Sequence, residues 1–445
     1  MRRHSRTPAG VAVLIAVATL SACSPGVATA EPEQTPAGEP AVDQVTEVEP
    51  AWSREIASPE GTLSVAVHGD RGYLMAWPGP HSDSDEGELV ALDLTTGEDI
   101  WAVPHQGVIG DLIADERGGV IVVERADLDF EAGVSVSALT AYDEQGQERW
   151  VSLIDPMPDE MSLPSLHDPV AAFDLANDLV MIGSRSMPGI IGLDLNDGNL
   201  RWHLQHDSDT GTPLYADTQL DRIGDTLVTV GNFDHPSMAL LDLDAEGQVP
   251  TVRWHRDPGT TSNDGLIADE HGIVAVTDRY VMAWDPTDGE QVFQVAVDWH
   301  DDVPSPYTMA NVAGVYLFTD TVIIERDRRW VLDRSDGTVR ASYDLDSDDA
   351  VPLSSPRGRT NIGAYGPPRN GGHVALGPQG AIARLDAHGS VHALRSDVVD
   401  ADSTYVPRLL TGDSTAAVGV LRSDESVIDL WAVERSQMVE AGESR

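Results

Sequence analysis

The sequence predicts an all-β fold of repeated four-stranded units that close into a ring, and three observations carry that expectation. A phrase recurs about every 50 residues: an apolar strand ending in Asp, a Gly-centred turn, and a second strand carrying Trp. It stands at Ala91–Trp101, Ala141–Trp150 and Gly192–Trp202, with looser copies at Leu240–Trp254, Ala283–Phe293, Val331–Arg340 and Ala383–Leu394. From Trp52 onward, short apolar strands alternate with Gly, Asp, Asn and Pro turns, and no segment sustains a helical apolar period. Finally, Leu112-Ile113-Ala114-Asp115-Glu116 reappears as Leu266-Ile267-Ala268-Asp269-Glu270, three repeat periods later and in phase with the main phrase.

The elements follow in order. Arg2, Arg3 and Arg6 precede the apolar stretch Val11–Leu20, which is too short to span a bilayer comfortably, so residues 1–22 read as a signal peptide. Leu20-Ser21-Ala22-Cys23 resembles a bacterial lipobox, which makes Cys23, the single cysteine of the chain, the expected lipid-attachment site. A multi-chain lipid anchor holds stably where one acyl chain is marginal. Residues 23–51 are rich in Pro, Glu, Ala and Thr, with six acids and no base, and read as a disordered tether. Extended, ~27 residues at ~3.3 Å each would reach roughly 90 Å. Residues 52–434 hold the ring and 435–445 a C-terminal tail.

Within the ring, the first unit reads as Leu63–Val67, Tyr73–Ala76, Leu89–Leu94 and Ile100–Val103. Seven Asp-turn hairpins are visible, at Asp93, Asp143, Asp194, Asp242, Asp285, Asp333 and Asp386. An eighth unit is implied by Ala416–Leu421 and Val427–Val433 near one end and the orphan strand from Trp52 to Ile56 near the other. Joining them closes the ring and leaves only short, protected edges. The expected fold is therefore an eight-bladed β-propeller, with seven blades as the runner-up.

Each position of the phrase has a mechanical reason. The Asp carboxylate can accept hydrogen bonds from the N–H groups of the following turn. Gly97, Gly146, Gly198, Gly247, Gly289, Gly337 and Gly389 supply the positive φ that hairpin turns require. Trp101, Trp150, Trp202 and Trp254 lie on the outer strands, where each could wedge against the neighbouring blade. Burial of ~200 Å² per indole gives an upper bound of roughly 5 kcal/mol.

The phrase resembles the A-x-D-x-x-T-G-x-x-x-W docking hairpin of the pyrroloquinoline-quinone-type β-propeller family, over roughly Trp52 to Val433. The match is close in the first four copies; later, Phe293 replaces Trp and the sixth and seventh hairpins carry none. The resemblance implies one of two functions: a quinone-dependent dehydrogenase, or a non-catalytic lipoprotein that binds proteins. The repeat is scaffold in both.

Composition and motifs bear on that choice. Net charge is −46, and all 28 basic residues are Arg. Such a chain repels nucleic-acid phosphates and gains nothing from an anionic membrane surface, and it lacks any Lys for Schiff-base chemistry. The dehydrogenases commonly carry a ring of adjacent cysteines beside the quinone, which a single Cys rules out. No position matches the family's calcium-binding or base residues, so neither quinone nor calcium is expected as a cofactor. Asp344–Asp349 opens like a calcium loop, but Asp349 stands where Gly is required and Ser355 where Glu is required. His203 and His206 would face opposite sides of one strand, and His167-Asp168 lacks a nucleophile partner. One stretch departs from the acidic background: Arg357, Arg359, Arg369 and His373, together with Arg384, lie in a run free of acids. We take Arg357, Arg359, Arg369 and His373 as a candidate partner-binding loop. The expected protein is a monomeric, exported, lipid-anchored propeller outside the cytoplasmic membrane that binds an envelope or extracellular protein. A quinone-dependent oxidoreductase and a sensor of small polar ligands are the alternatives.

Overall fold

The computed structural model describes residues 43–57, 62–77, 86–106, 108–129, 134–154, 170–184, 187–205, 211–214, 216, 219–231, 237–256, 266–276, 280–297, 314–325, 328–345, 351, 353, 372–376, 381–395, 408–422 and 427–438. The signal peptide, Cys23, Arg357, Arg359, Arg369, His167 and His206 lie outside the described residues.

Eight four-stranded sheets form an eight-bladed β-propeller, as the repeat predicts. Blade 1 is Thr62–His68, Arg71–Trp77, Glu86–Asp93 and Asp99–Gln106. Blade 2 is Val108–Ala114, Val120–Asp129, Val134–Tyr142 and Glu148–Ile154. Blade 3 is Val170–Asp174, Leu179–Ser184, Met187–Asp194 and Leu200–Leu204. Blade 4 is Gln219–Ile223, Thr226–Gly231, Ser237–Asp242 and Thr251–Arg256. Blade 5 is Leu266–Asp269, Gly272–Val276, Tyr280–Trp284 and Gln291–Ala296. Blade 6 is Gly314–Leu317, Thr321–Glu325, Arg328–Asp333 and Val339–Asp344.

The last two blades borrow from the N-terminus. Blade 8 holds Arg408–Thr411, Thr415–Arg422 and Val427–Glu434, and Trp52–Ala57 completes it antiparallel, with Trp52 opposite Ala432. This is the expected ring closure. Blade 7 holds Gly372–Leu376, Ile382–Asp386 and Val391–Arg395, and Gln44–Glu47 pairs in parallel with the last of these. Residues 44–47, expected within a tether running to residue 51, are therefore a strand. Backbone pairing needs no apolar side chains, so the polar run Gln44–Glu47 gave no strand signal. Residues 435–438, expected within the C-terminal tail, likewise belong to the folded body. Residues 435–438 form a helical turn, and Met438 is buried with Trp431 and Val433.

The core lies between blades. Ile121, Val123, Leu139, Ala141 and Trp150 of blade 2 pack against Phe173, Val180, Ile182, Ile191 and Leu193 of blade 3. Both faces of the middle strands are buried, as in Leu179–Ser184 and Gly272–Val276, which explains their unbroken apolar runs.

The hairpin turns match their sequence reading with one change. Asp93, Asp194, Asp285 and Asp333 each accept a hydrogen bond from the amide two residues on, at 2.7–2.9 Å. Asp143 and Asp386 do the same in turns one residue shorter. In the fourth hairpin the acceptor is Asp244 rather than Asp242, at 2.8 Å from the Glu246 amide. Asp242 lies too far before Gly247 for the turn and pairs with Arg253 instead. All seven turn glycines have positive φ. They answer a second need as well: a Cβ on Gly198 would stand 2.5 Å from the Trp150 ring, and one on Gly146 2.7 Å from Trp101.

Candidate functional site

His373 does not belong to a surface loop. It lies in Gly372–Leu376, is 4% exposed, and its Nε2 approaches the Leu317 carbonyl at 2.6 Å. Phe318 meets its ring edge-on at 4.7 Å, and burial pushes its imidazole below the ordinary histidine range. This neutral core histidine seals blade 7 against blade 6; the glycines around it had suggested a loop.

Many of the described arginines are engaged within the protein, which matters in so acidic a chain. Arg149 bonds Asp115 at 2.8 Å, and Arg222 meets Asp174 at 3.0 Å across blades 3 and 4. Arg334 of blade 6 takes Asp269 of blade 5 through both Nη atoms and donates to the Phe318 carbonyl at 2.8 Å. Asp115 and Asp269 are the acids of the two Leu-Ile-Ala-Asp-Glu copies, so that echo marks a repeated anchor for arginine. Arg54, Arg201 and Arg340 pair with Asp99, Asp194 and Asp333.

One polar cluster has the residue types of a catalytic relay. His105 Nδ1 lies 2.9 Å from the Tyr142 hydroxyl, its Nε2 lies 3.3 Å from Glu124, and Thr140 donates to Glu124 at 2.6 Å. Burial, with help from Glu148 and Glu124, pushes the Tyr142 phenol up to about 12. The cluster is enclosed between blades 1 and 2, with His105 at 4% and Thr140 at 5% exposure. A protonated phenol and a shielded hydroxyl offer no accessible nucleophile, so its geometry is that of a buried polar cluster between blades. Among the described residues, no three His, Cys, Asp or Glu side chains are grouped to hold a metal ion.

Two features remain to be considered. The outermost strands carry exposed apolar side chains: Ile100 in blade 1, Leu200 in blade 3, Val292 in blade 5, and both Val151 and Leu153 in blade 2. Val151 and Leu153, 51% and 63% exposed, are two residues apart and so share one face of the edge strand Glu148–Ile154. The second feature is the seat of Asp43 at the junction of blades 6 and 7. Its carboxylate accepts from Arg329 Nη1 at 3.0 Å and from the amides of Val351 and Val391 at 2.7 and 2.9 Å. Arg329 is also held by Glu325 at 2.8 Å, and burial pushes that carboxyl upward against the pull of the guanidinium. Sequence reasoning missed this site because the partners of Asp43 lie 286, 308 and 348 positions along the chain from it.

Comparison with known proteins adds the following. The profile of the family described as outer membrane protein assembly factor BamB matches residues 41–295. No curated protein matches. Among solved structures, the chain is similar to BamB from Moraxella catarrhalis, with 15% identity, a TM-score of 0.49, and 87% of this chain and 99% of that one covered. It is similar to the dihydro-heme d1 dehydrogenase NirN, with 13% identity, a TM-score of 0.53, and 86% and 72% covered. It is also similar to the quinohemoprotein alcohol dehydrogenase of Comamonas testosteroni, with 14% identity, a TM-score of 0.50, and 87% and 76% covered. At such identities the likeness is one of fold.

Proposed function

This chain belongs to the family described as outer membrane protein assembly factor BamB, and from that membership we propose that it is a protein-binding scaffold of the cell envelope. It is exported, anchored by lipid at Cys23 and displayed as a monomer on the extracytoplasmic side. The observation that carries the binding role is the outer edge of blade 2, where Val151 and Leu153 stand exposed on an edge strand. Such an edge offers backbone pairing together with apolar contact. The strongly negative surface favours a partner segment that is extended, apolar and basic.

Capture from intact cells with the wild-type chain and with Val151→Asp/Leu153→Asp tests this reading. Loss of the recovered partner supports it, and unchanged recovery removes the edge from the interface. Arg357, Arg359 and Arg369 are assigned a contact with an anionic group of the same partner; replacing all three with Ser lowers recovery if they touch it. Cys23→Ser should move the protein from the membrane to the soluble fraction. The scaffold role needs no quinone, so adding pyrroloquinoline quinone with Ca²⁺ should leave no bound chromophore; a bound chromophore would favour the oxidoreductase alternative.

A further inference from the structure

Residues 43–47 sit on blade 7 as a ligand sits in a site. In blades 1 to 6 the Asp–Gly turn joins the third strand to the fourth. In blade 7 that turn, Asp386 to Gly389, joins Ile382–Asp386 to Val391–Arg395. Gln44–Glu47 therefore lies outside the strand that is outermost in the other blades. It is added in parallel, whereas all other strand pairs among the described residues are antiparallel. Its own side chains contribute little, since Gln44 is half-buried and Val45, Thr46 and Glu47 are exposed. Backbone pairing and the Asp43 carboxylate hold it in place.

The seat for that carboxylate is built by the rest of the protein. Arg329, 1% exposed, is oriented by Glu325 and by donating to the carbonyls of Val351 and Gly389 at 2.7 and 2.8 Å. The amides of Val351 and Val391 converge on the same point. A guanidinium and two backbone N–H groups, fixed from behind, make an anion cradle at the head of a strand edge. The adjoining edge of Val391–Arg395 accepts a parallel strand with Gln44 opposite His392 and Glu47 opposite Arg395.

We infer that this cradle and strand edge form a peptide-binding site of the strand-addition kind, occupied in the resting protein by residues 43–47. Its ligand is an extended segment of a partner protein with an Asp at its head and about four residues running parallel to Val391–Arg395. The cis segment competes at high effective concentration, so the site opens to a partner only when that segment is drawn away. The inference deepens the protein-binding reading. Its test uses purified protein and a synthetic peptide, so its failure leaves the blade 2 edge and that reading standing.

A protease site replacing Glu49–Pro50 in the full chain allows residues 43–47 to be cut free from the closing strand. A fluorescent peptide of residues 43–48 is then titrated and followed by anisotropy. The cleaved protein should bind it at least about tenfold more tightly than the uncut protein, which still carries its own segment. Asp43→Asn in the peptide should lose about tenfold in affinity, because the charge-assisted bonds go. Arg329→Met should abolish the difference between the two peptides; if that variant does not fold, the peptide pair alone decides. Equal binding of Asp and Asn peptides, no uptake by cleaved protein of unchanged circular dichroism, or unfolding on cleavage would each overturn the proposal.

Discussion

The junctions of blades 8 through 6 and the junction of blade 6 with blade 7 solve one packing problem in two ways. Along most of the first run an aromatic side chain covers the turn, the exception being the junction of blades 3 and 4, where Asn177 and Arg201 cover Gly247. Trp52, Trp101, Trp150 and Trp254 each cover the turn glycine of the next blade, Gly97, Gly146, Gly198 and Gly289, and Phe293 covers Gly337. The indoles also donate to turn carbonyls: Trp52 to Leu94 at 2.7 Å, Trp101 to Glu144 at 3.1 Å, Trp150 to Leu195 at 2.9 Å, Trp202 to Gly247 at 3.2 Å and Trp254 to Pro286 at 3.1 Å. At the junction of blades 6 and 7 the small Ala341 stands where the repeat places Trp. There the two tasks are divided. Val331 and Tyr343 pack on Gly389, Tyr343 donates to His388 O at 3.0 Å, and Arg329 donates to Gly389 O at 2.8 Å. Trp unites volume and a donor in one residue; between blades 5 and 6 Phe293 and Val295 supply the volume alone, and between blades 6 and 7 the ring recruits a tyrosine, an arginine and the N-terminal segment.

The largest expected effect is at the divided junction. Arg329→Met leaves Glu325 and Asp43, which are 0% and 5% exposed, without their cation. Breaking a buried pair in this way costs about 3–5 kcal/mol. Urea unfolding that shows less than about 1 kcal/mol would mean that the ion network does not hold this junction. The indole junctions come next. Trp150→Ala removes a ring that is 6% exposed and should cost about 3–5 kcal/mol, nearer the lower end if the turn collapses onto the cavity. An unchanged melting temperature would deny the docking role. Trp52→Ala, a half-buried ring at the ring closure, should cost less than Trp150→Ala in the same measurement. Tyr343→Phe keeps the packing and removes one partly exposed hydrogen bond, for about 1 kcal/mol. A larger loss would show that the hydroxyl, rather than the ring, seals blade 7.

The difference between these junctions also explains what the sequence made legible. Trp101, Trp150, Trp202 and Trp254 act locally in a phrase with fixed spacing, so both the fold and the reason for each residue could be read. Closure by Trp52–Ala57 was visible from the strand left over at one end. Its docking role was not, because Trp52 has no phrase around it. The Asp43 seat was invisible for the same reason in stronger form. One carboxylate meets Arg329, Val351 and Val391, none of which shares a motif with it. His373 was misread because a strand of five residues among glycines carries too few apolar side chains to show its period.

The smallest expected effect concerns the turns that both kinds of junction share. Hydrogen bonds from Ser335 and Arg340 pull the Asp333 carboxyl down to about 2, with burial opposing them. A hydrogen bond from Thr95 lowers Asp93 likewise, and at Asp194 burial works upward but Arg201 and the Asn196 amide outweigh it. A carboxyl lowered in the folded state contributes stability that is present above its unfolded value, near ~3.9, and is lost as pH falls through its folded value. The ring should therefore weaken between pH ~4 and pH ~2. Asp333→Asn should flatten that slope, since the amide cannot be protonated in this range and no longer attracts Arg340. Because Arg340 is largely exposed, solvent screening keeps the change small, well below that of Trp150→Ala. A slope that is identical in the two proteins would place the acid sensitivity in another turn carboxylate, with Asp93→Asn as the next variant to measure.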